Sequence, residues 1–342
     1  MIIVQLTEGF GNNLFQAAFA ELLSSQTGSE ISVCGTEGRV ASLYAKSIGE
    51  DKALAFRDRC ANRIQRPYKE LVDHCVKALK SRKTILLKGN FEYFEIFNDI
   101  QIENTRLNIF KSNDERDDTI RVHVRLNNRL VQVNHAINWI CPNKLLSYLR
   151  GLFPFSKIEL ISDYHFPVAE SGINQSISAL KLECRNGPNP GALLLPRNIS
   201  KDYVYSWLDA ISTNKIDCLS QDKIANYRKG SGALNDNYLD DFRSLQNSSV
   251  LVFWGSTFSY LASKFAGDEI KTITISPWKN DKDQKGPFLD LDNHFKRLHF
   301  CDHRYEPVKF HSKLFFTAVG AIPYSARHYL QAGMSKIHSI IK

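Results

Sequence analysis

The chain opens on an apolar run, Ile2-Ile3-Val4-Gln5-Leu6, which stops at Thr7-Glu8-Gly9-Phe10-Gly11-Asn12. Leu14, Phe15, Ala18, Phe19, Leu22 and Leu23 then recur at helical spacing. The order predicts strand, glycine turn and helix, with Asn12 or Asn13 as N-cap and Gly28 ending the helix before a strand at Ile31-Ser32-Val33-Cys34. Residues 50–83 are charged and helical in character, and Thr84-Ile85-Leu86-Leu87 reads as a strand. The wholly polar stretch 111–118 stands before a strong strand from Thr119 to Leu126 and marks the predicted domain boundary. Beyond it the pattern gives a helix near 142–151, a strand Lys157 to Ser162, a loop-rich stretch through 200, and helices near 202–213 and 236–247. A strand Ser249 to Trp254, a helix 257–266 and a strand Lys271 to Ile275 follow.

Strands alternating with helices predict an α/β fold whose parallel sheets are covered on both faces. A chain of 342 residues is long enough for two such domains. They are expected at 1–118 and 119–290, followed by a basic extension at 291–342. The sequence contains no internal repeat and no low-complexity tract.

Composition changes this picture little. Hydrophobic residues at 43% and charged residues at 23% exclude wholesale disorder and a polytopic membrane protein. No apolar run reaches the roughly 18 residues that span a bilayer, and the first residues lack the pattern of an export leader, so a cytoplasmic location is expected. The seven cysteines are scattered and none forms a CxxC pair, which predicts reduced thiols. The net charge of +8 belongs mainly to the tail: from His294 onward there are eight Lys/Arg against two Asp/Glu. Lys313-Leu314-Phe315-Phe316 and Ile337-His338-Ser339-Ile340-Ile341 mix that charge with apolar residues. Such a tail fits peripheral contact with an anionic membrane face, or equally a docked terminal helix with a solvated basic side. Nucleic acid is not expected as a partner, since no binding module surrounds the basic residues.

In open parallel sheets, ligands bind beyond the carboxyl ends of strands, where helix N-termini present free N–H groups. Three polar clusters fall at such places. Glu8-Gly9-Phe10-Gly11-Asn12-Asn13 offers glycines that permit a tight turn and close approach of a ligand. His123-Val124-Arg125 ends a strand, with His123 and Arg125 on one side of it. An arginine there can clamp a pyrophosphate through its fork of donors, or simply hold a salt-bridged partner at the surface. Trp254-Gly255-Ser256-Thr257-Phe258-Ser259 joins a strand to a helix, and Ser256 and Thr257 can cap that helix with or without facing a phosphate. No DxD or HExxH stands near a strand end, so no metal cofactor is expected.

Taken in order, these clusters resemble the motifs of the alpha-1,2-fucosyltransferase family. The stretch Glu8-Gly9-Phe10-Gly11-Asn12-Asn13-Leu14-Phe15-Gln16-Ala17-Ala18-Phe19-Ala20 is similar to the family's GGLGNQMFQYAFA opening. Leu87 to Glu95 resembles its GYFQSEKYF segment, His123-Val124-Arg125 the start of HIRRGDY, and Ile161-Ser162-Asp163 its FSDD. Asp241-Phe242 through Phe258-Ser259 is similar to DLxLMSxCxHxIIANSSFSWWAAWL, which makes the resemblance collinear to about residue 280. Three departures stand out. Leu126, Asn127 and Asn128 replace the second arginine, glycine and aspartate of HIRRGDY, Tyr260-Leu261 replaces the paired tryptophans, and Glu8 replaces the first glycine. Glu8-Gly9-Phe10 is in turn similar to the GEGFN turn of some protein O-fucosyltransferases, whose glutamate is proposed as a base.

The resemblance implies two Rossmann-like domains facing across a cleft, of the GT-B type, and inverting, metal-independent transfer of fucose from GDP-fucose to a glycan or glycolipid acceptor. It implies Glu8 as general base and Arg125 as the group on the leaving diphosphate. Gly9, Gly11, Asn12, Asn13, His123, Asn128, Asp163, Ser256, Thr257 and Phe258 are implied as substrate contacts. The altered loop at Leu126 to Asn128 keeps another nucleotide sugar open as donor, and a catalytically silent carbohydrate-binding protein is the alternative from a different class.

Overall fold

The computed structural model describes residues 1–7, 9–35, 37–47, 53–57, 68–93, 95–112, 115–132, 142–164, 166–167, 169–186, 194–195, 197–214, 217–218, 237–253, 256–266, 270–275 and 296–298. The described residues divide into two compact units. Those of Met1–Glu115 and Gly255–Glu269 form the first, and those of Arg116–Trp254, Ile270–Gln284 and Asn293–Lys342 form the second.

The first unit begins with β1 (Ile2–Leu6), α1 (Phe10–Thr27), β2 (Ile31–Gly35), β3 (Ala45–Lys46) and β4 (Leu54–Arg57). It continues with α2 (Tyr68–Lys80), β5 (Ile85–Lys88) and a single turn, α3 (Ile96–Asp99). Its sheet has the order β3-β2-β1-β5-β4, and every pair is parallel. β1 is central and reads as a continuous apolar run because helices cover both faces of a parallel sheet. Ile2, Ile3 and Val4 are fully buried, with Ile3 opposite Ser32 on one side and Leu86 on the other.

α1 is buried nearly all round from Gly11 to Leu23, as a helix enclosed by other elements requires. Gly28 closes it in the left-handed conformation, its N–H returning to the carbonyl of Ser24 at 2.8 Å. The start differs from expectation. The N-cap is Gly9, at φ 99°, and the N–H of Asn13 already bonds to the Gly9 carbonyl at 3.0 Å. Asn12 and Asn13 therefore lie inside the first helical turn.

The second unit holds β6 (Thr119–Val124), α4 (Pro142–Leu152), β7 (Lys157–Ser162), α5 (Glu170–Asn186), α6 (Arg197–Asn214) and β8 (Asp217–Cys218). It also holds α7 (Asn237–Gln246), β9 (Val250–Phe253), β10 (Lys271–Ile275) and β11 (Lys296–Leu298). Its parallel sheet has the order β11-β10-β9-β6-β7-β8. Both sheets, with their crossover helices, are Rossmann-like, which makes the protein an α/β chain built of two such units.

Two expectations are corrected. The stretch expected to be loop-rich contains α5, whose Ile173, Ile177 and Leu180 at helical spacing bury against the second core. The stretch 50–83, expected to be helical, includes the edge strand β4, which pairs in parallel with β5.

The helix after β9, α8 (Thr257–Phe265), packs on α1 and so belongs with the first unit, although the sequence placed it within a continuous 119–290 domain. Aromatic rings fix it there: Phe15 stacks on Tyr260 at 5.9 Å, and Phe97 meets Tyr260 and Phe265 edge-on. Tyr260, one of the two residues that replace the expected tryptophan pair, is thus a core ring, and such pairs contribute about 0.5–1.5 kcal/mol beyond area burial.

A buried ion cluster ties the base of the second sheet. Arg121 on β6 donates through Nε to Glu159 on β7 at 3.0 Å, through Nη1 to the Ser244 carbonyl at 2.8 Å, and also to Asp117. Lys157 adds a second cation to Glu159 at 2.6 Å. All three guanidinium nitrogens of Arg121 have acceptors, as a buried charge demands.

Candidate functional site

The two sheets each have one place where the order reverses, and there the ends of adjacent strands leave room for a ligand. In the first unit it lies between β1 and β5, whose C-terminal continuations are Leu6-Thr7 and Gly89-Asn90. A buried side-chain amide, Gln16, spans this place. Its Oε1 accepts the N–H of Thr7 at 3.2 Å, and its Nε2 donates to the carbonyls of Gln5 at 3.2 Å and Gly89 at 2.5 Å. The amide bonds to three main-chain groups at the ends of these two strands, and so sets the shape of the turn above it.

Beside that turn the first turns of α1 and α8 come together. A Cβ on Gly11 would stand 2.8 Å from Thr257 Oγ1 and 2.9 Å from the backbone nitrogen of Phe258, so only glycine permits this approach. Thr257 Oγ1 donates to Asn12 Oδ1 at 3.3 Å, and Phe258 meets Phe10 edge-on at 6.2 Å. The positive ends of two helices therefore lie side by side. Ser256 occupies the N-cap position of α8 and is buried, but its side chain makes no capping hydrogen bond. Asn13 is also buried, and its Oδ1 finds no partner among the described residues; neither does Thr7 Oγ1. A buried acceptor left in that state costs about 1–3 kcal/mol.

In the second unit the order reverses at β6, which has β7 on one side and β9 on the other. Arg125 follows the last residue of β6 and is half exposed, with 46% of its side chain open to solvent. Asp163, directly after β7, organises this end. Its Oδ1 accepts the N–H of Leu126 at 2.6 Å, and its Oδ2 stands 3.9 Å from Arg125 Nε. Among the described residues the guanidinium has no other ion-pair or hydrogen-bond partner. Its outer nitrogens present a fork toward solvent.

The remaining expected residues are placed as follows. His123 is buried within β6, in register with Ile161 and Phe253. Asn128 has its backbone in the short 3-10 turn Asn127–Leu130. Glu8, together with Trp254 and Gly255, lies outside the described residues, and so does the tail after 298. Within each unit the structure joins Asn12 to Thr257 and Arg125 to Asp163. It adds Gln16 and Thr7, which the motif reading did not single out. Gln16 stood in the quoted opening motif, and an amide three turns from the strand end was the available signal.

Among the described residues, no group of three or more His, Cys, Asp or Glu side chains is placed to hold a metal ion. Cys75 is buried, and Cys34 and Cys184 are half-buried. Among the described residues no helix is long and apolar enough to cross a membrane.

No family model matches the chain. No curated protein matches it in sequence. Solved structures similar to it include two of one protein. The first, POFUT1 in complex with GDP-fucose in crystal form I, is 9% identical, with 80% of this chain and 96% of that chain covered and a TM-score of 0.39. The second, the same complex in crystal form II, is 10% identical, with 80% and 97% covered and a TM-score of 0.37.

Proposed function

We propose that the chain is an inverting glycosyltransferase that moves fucose from GDP-fucose to a hydroxyl of a glycan acceptor. The observation that carries this reading is Arg125: a half-exposed guanidinium at the order reversal of a parallel sheet, held from one side by Asp163 and open on the other. A diphosphate departing from a sugar gains negative charge as the C1–O bond breaks. A preorganised fork stabilises that charge without reorganising at the moment of reaction. In this reading the second unit serves the nucleotide sugar and the first unit, α8 included, the acceptor, and the departing charge is met by the protein's own donors rather than by a metal ion.

The first unit supplies what the acceptor half of the reaction needs. The paired N-terminal turns of α1 and α8 place Ser256, Thr257 and Phe258 at one helix start and Gly9, Gly11 and Asn12 at the other, where helix ends favour anionic and polar ligand atoms. Glu8, which precedes Gly9 in the sequence, is the proposed base. The acceptor oxygen attacks C1 from the side opposite the diphosphate, its proton passes to the Glu8 carboxylate, and the nucleoside diphosphate leaves with the bonding pair.

One observation favours a second donor. Leu126, which stands where the resemblance expects an arginine, is fully buried and gives only its N–H to Asp163. A loop with one cation fewer suits a different nucleotide sugar on the same scaffold. The two donors are separated by melting the protein with a panel of nucleotide sugars and their free nucleotides. GDP-fucose and GDP are expected to raise Tm most. Protection by a uridine or adenosine sugar alone would assign the second donor, and protection by none would remove the transferase reading.

A further inference from the structure

The outer margin of the first unit's sheet carries a groove that the site described above does not use. It lies along β4, the last strand in the order on that side, and α2 forms its wall. Leu54, Phe56 and Ala78 make an apolar floor in a cavity of about 420 Å³, with Lys77 and Lys83 on the rim. A second hollow of about 230 Å³ shares Leu54 and Phe56 and extends to Arg57. Among the described residues no strand pairs the outer edge of β4, so its outward N–H and C=O groups form a template for another strand.

The charge around this groove has one sign. Lys77, Lys80, Arg82 and Lys83 fall within seven residues with no acidic residue among them. Among the described residues none of the four has a carboxylate within salt-bridge reach. The nearby acids of α2, Glu70 and Asp73, lie a turn or more toward its start, where Glu70 faces His74 at 3.9 Å. Arg82 bulges from the turn after α2 at φ 59°, a conformation that L-residues adopt only at some cost. Like charges gathered without partners around an apolar floor repel one another and are relieved by an anionic occupant.

We infer that the groove between β4 and α2 is a docking site for an extended acidic peptide of a partner protein, which adds to the sheet as a strand beside β4. The geometry is that of strand addition between an edge strand and a helix. Main-chain bonds to β4 give affinity, and alternate side chains enter the apolar floor and meet the lysine rim. A lipid surface is a poorer match, because it supplies no main-chain groups to a strand edge and does not enter a concave cleft. The site is independent of the proposed transfer chemistry, so its failure and that of the transferase reading are separable.

The test uses the full chain and a fluorescent, end-capped hexapeptide of alternating glutamate and valine. Its lysine/valine counterpart and phosphatidylserine vesicles serve as comparisons. The acidic peptide is expected to bind at least tenfold more tightly than the basic one, and Lys77→Glu/Lys83→Glu to weaken it at least tenfold with unchanged Tm. Lys77→Gln/Lys83→Gln should give an intermediate loss. Of two peptides N-methylated on alternate residues, one is expected to lose at least tenfold in affinity and the other to keep it, because only one set of N–H groups faces β4. Equal binding of the acidic and basic peptides, equal tolerance of both N-methylated forms, or vesicle binding that depends on these lysines while the acidic peptide does not bind would overturn the inference.

Discussion

Asp163 Oδ1 accepts the backbone N–H of Leu126 at 2.6 Å and so pins the first residues after one strand to the end of the next. Because the same carboxylate faces Arg125, one side chain sets both the path of the loop and the direction of the guanidinium. Asp163→Ala should therefore weaken donor binding at least tenfold and lower stability by about 1–3 kcal/mol, the cost of an unmade hydrogen bond to a charged acceptor. Asp163→Asn keeps an oxygen for the Leu126 N–H and loses only the charge. It should recover most of the stability but not the affinity, which calorimetric titration of GDP-fucose beside thermal melts can separate.

Arg125→Ala is expected to lower turnover by roughly 100-fold or more at unchanged Tm, since it removes a donor fork that acts on developing charge. Arg125→Lys should rescue little, because a point charge cannot reproduce two parallel donors. Steady-state rates for the three proteins, each checked for folding, decide this. Near-normal rates in Arg125→Ala would exclude the residue from the chemistry.

Gly11 and Gly9 stand two residues apart but should fail for different reasons. A methyl at Gly11 meets the backbone nitrogen of Phe258, so Gly11→Ala should cost about 1–3 kcal/mol by overpacking, and Thr257→Ala should not restore it. Gly9 has open space around it but a φ of 99° with ψ 120°, outside the left-handed helical region, so Gly9→Ala should act through backbone strain alone, of about 1–3 kcal/mol. Thermal or urea unfolding of the two single mutants and the Gly11→Ala/Thr257→Ala double mutant tests the distinction.

Much of this was legible in the residues, and what was not has a physical cause. Apolar runs such as Ile2 to Leu6 and Val250 to Phe253 mark central parallel strands because both faces are covered. β4 lacks that signal, since an edge strand with exposed residues has little to bury. α5 was hidden because only Ile173, Ser176, Ile177 and Leu180 of its seventeen residues are buried, a stripe too narrow to stand out among polar neighbours. In the candidate site, Arg125 and Asp163 were each visible as strand-end residues, but their meeting depends on the register of Val124 against Ser162. Gly11 read as room for a ligand, whereas its nearest neighbours are Thr257 and Phe258, almost the whole chain away.

Gln16 and Arg121 should behave as structural hubs. Gln16→Ala removes three hydrogen bonds to the main chain and should cost about 2 kcal/mol. Gln16→Glu should be worse at neutral pH, because an ionised carboxylate only accepts and would face two carbonyl oxygens, and its defect should ease in acid as the group gains a proton to donate. Arg121→Met, which leaves buried Glu159 with Lys157 alone, should cost about 3–5 kcal/mol, and adding Glu159→Met should recover a large part of it. Melting curves at neutral and acid pH check both residues.

The most direct test of the proposed reaction is GDP release from GDP-fucose by the full chain in excess EDTA after dialysis, with and without a mixed glycan acceptor, for wild type and Glu8→Gln. Release that is accelerated by acceptor, indifferent to chelation, and lowered roughly 100- to 10,000-fold in Glu8→Gln with donor binding intact is the expected result. Release that vanishes in EDTA and returns with Mg²⁺ or Mn²⁺, or a Glu8→Gln protein within a few-fold of wild type, would contradict the metal-independent mechanism with Glu8 as base.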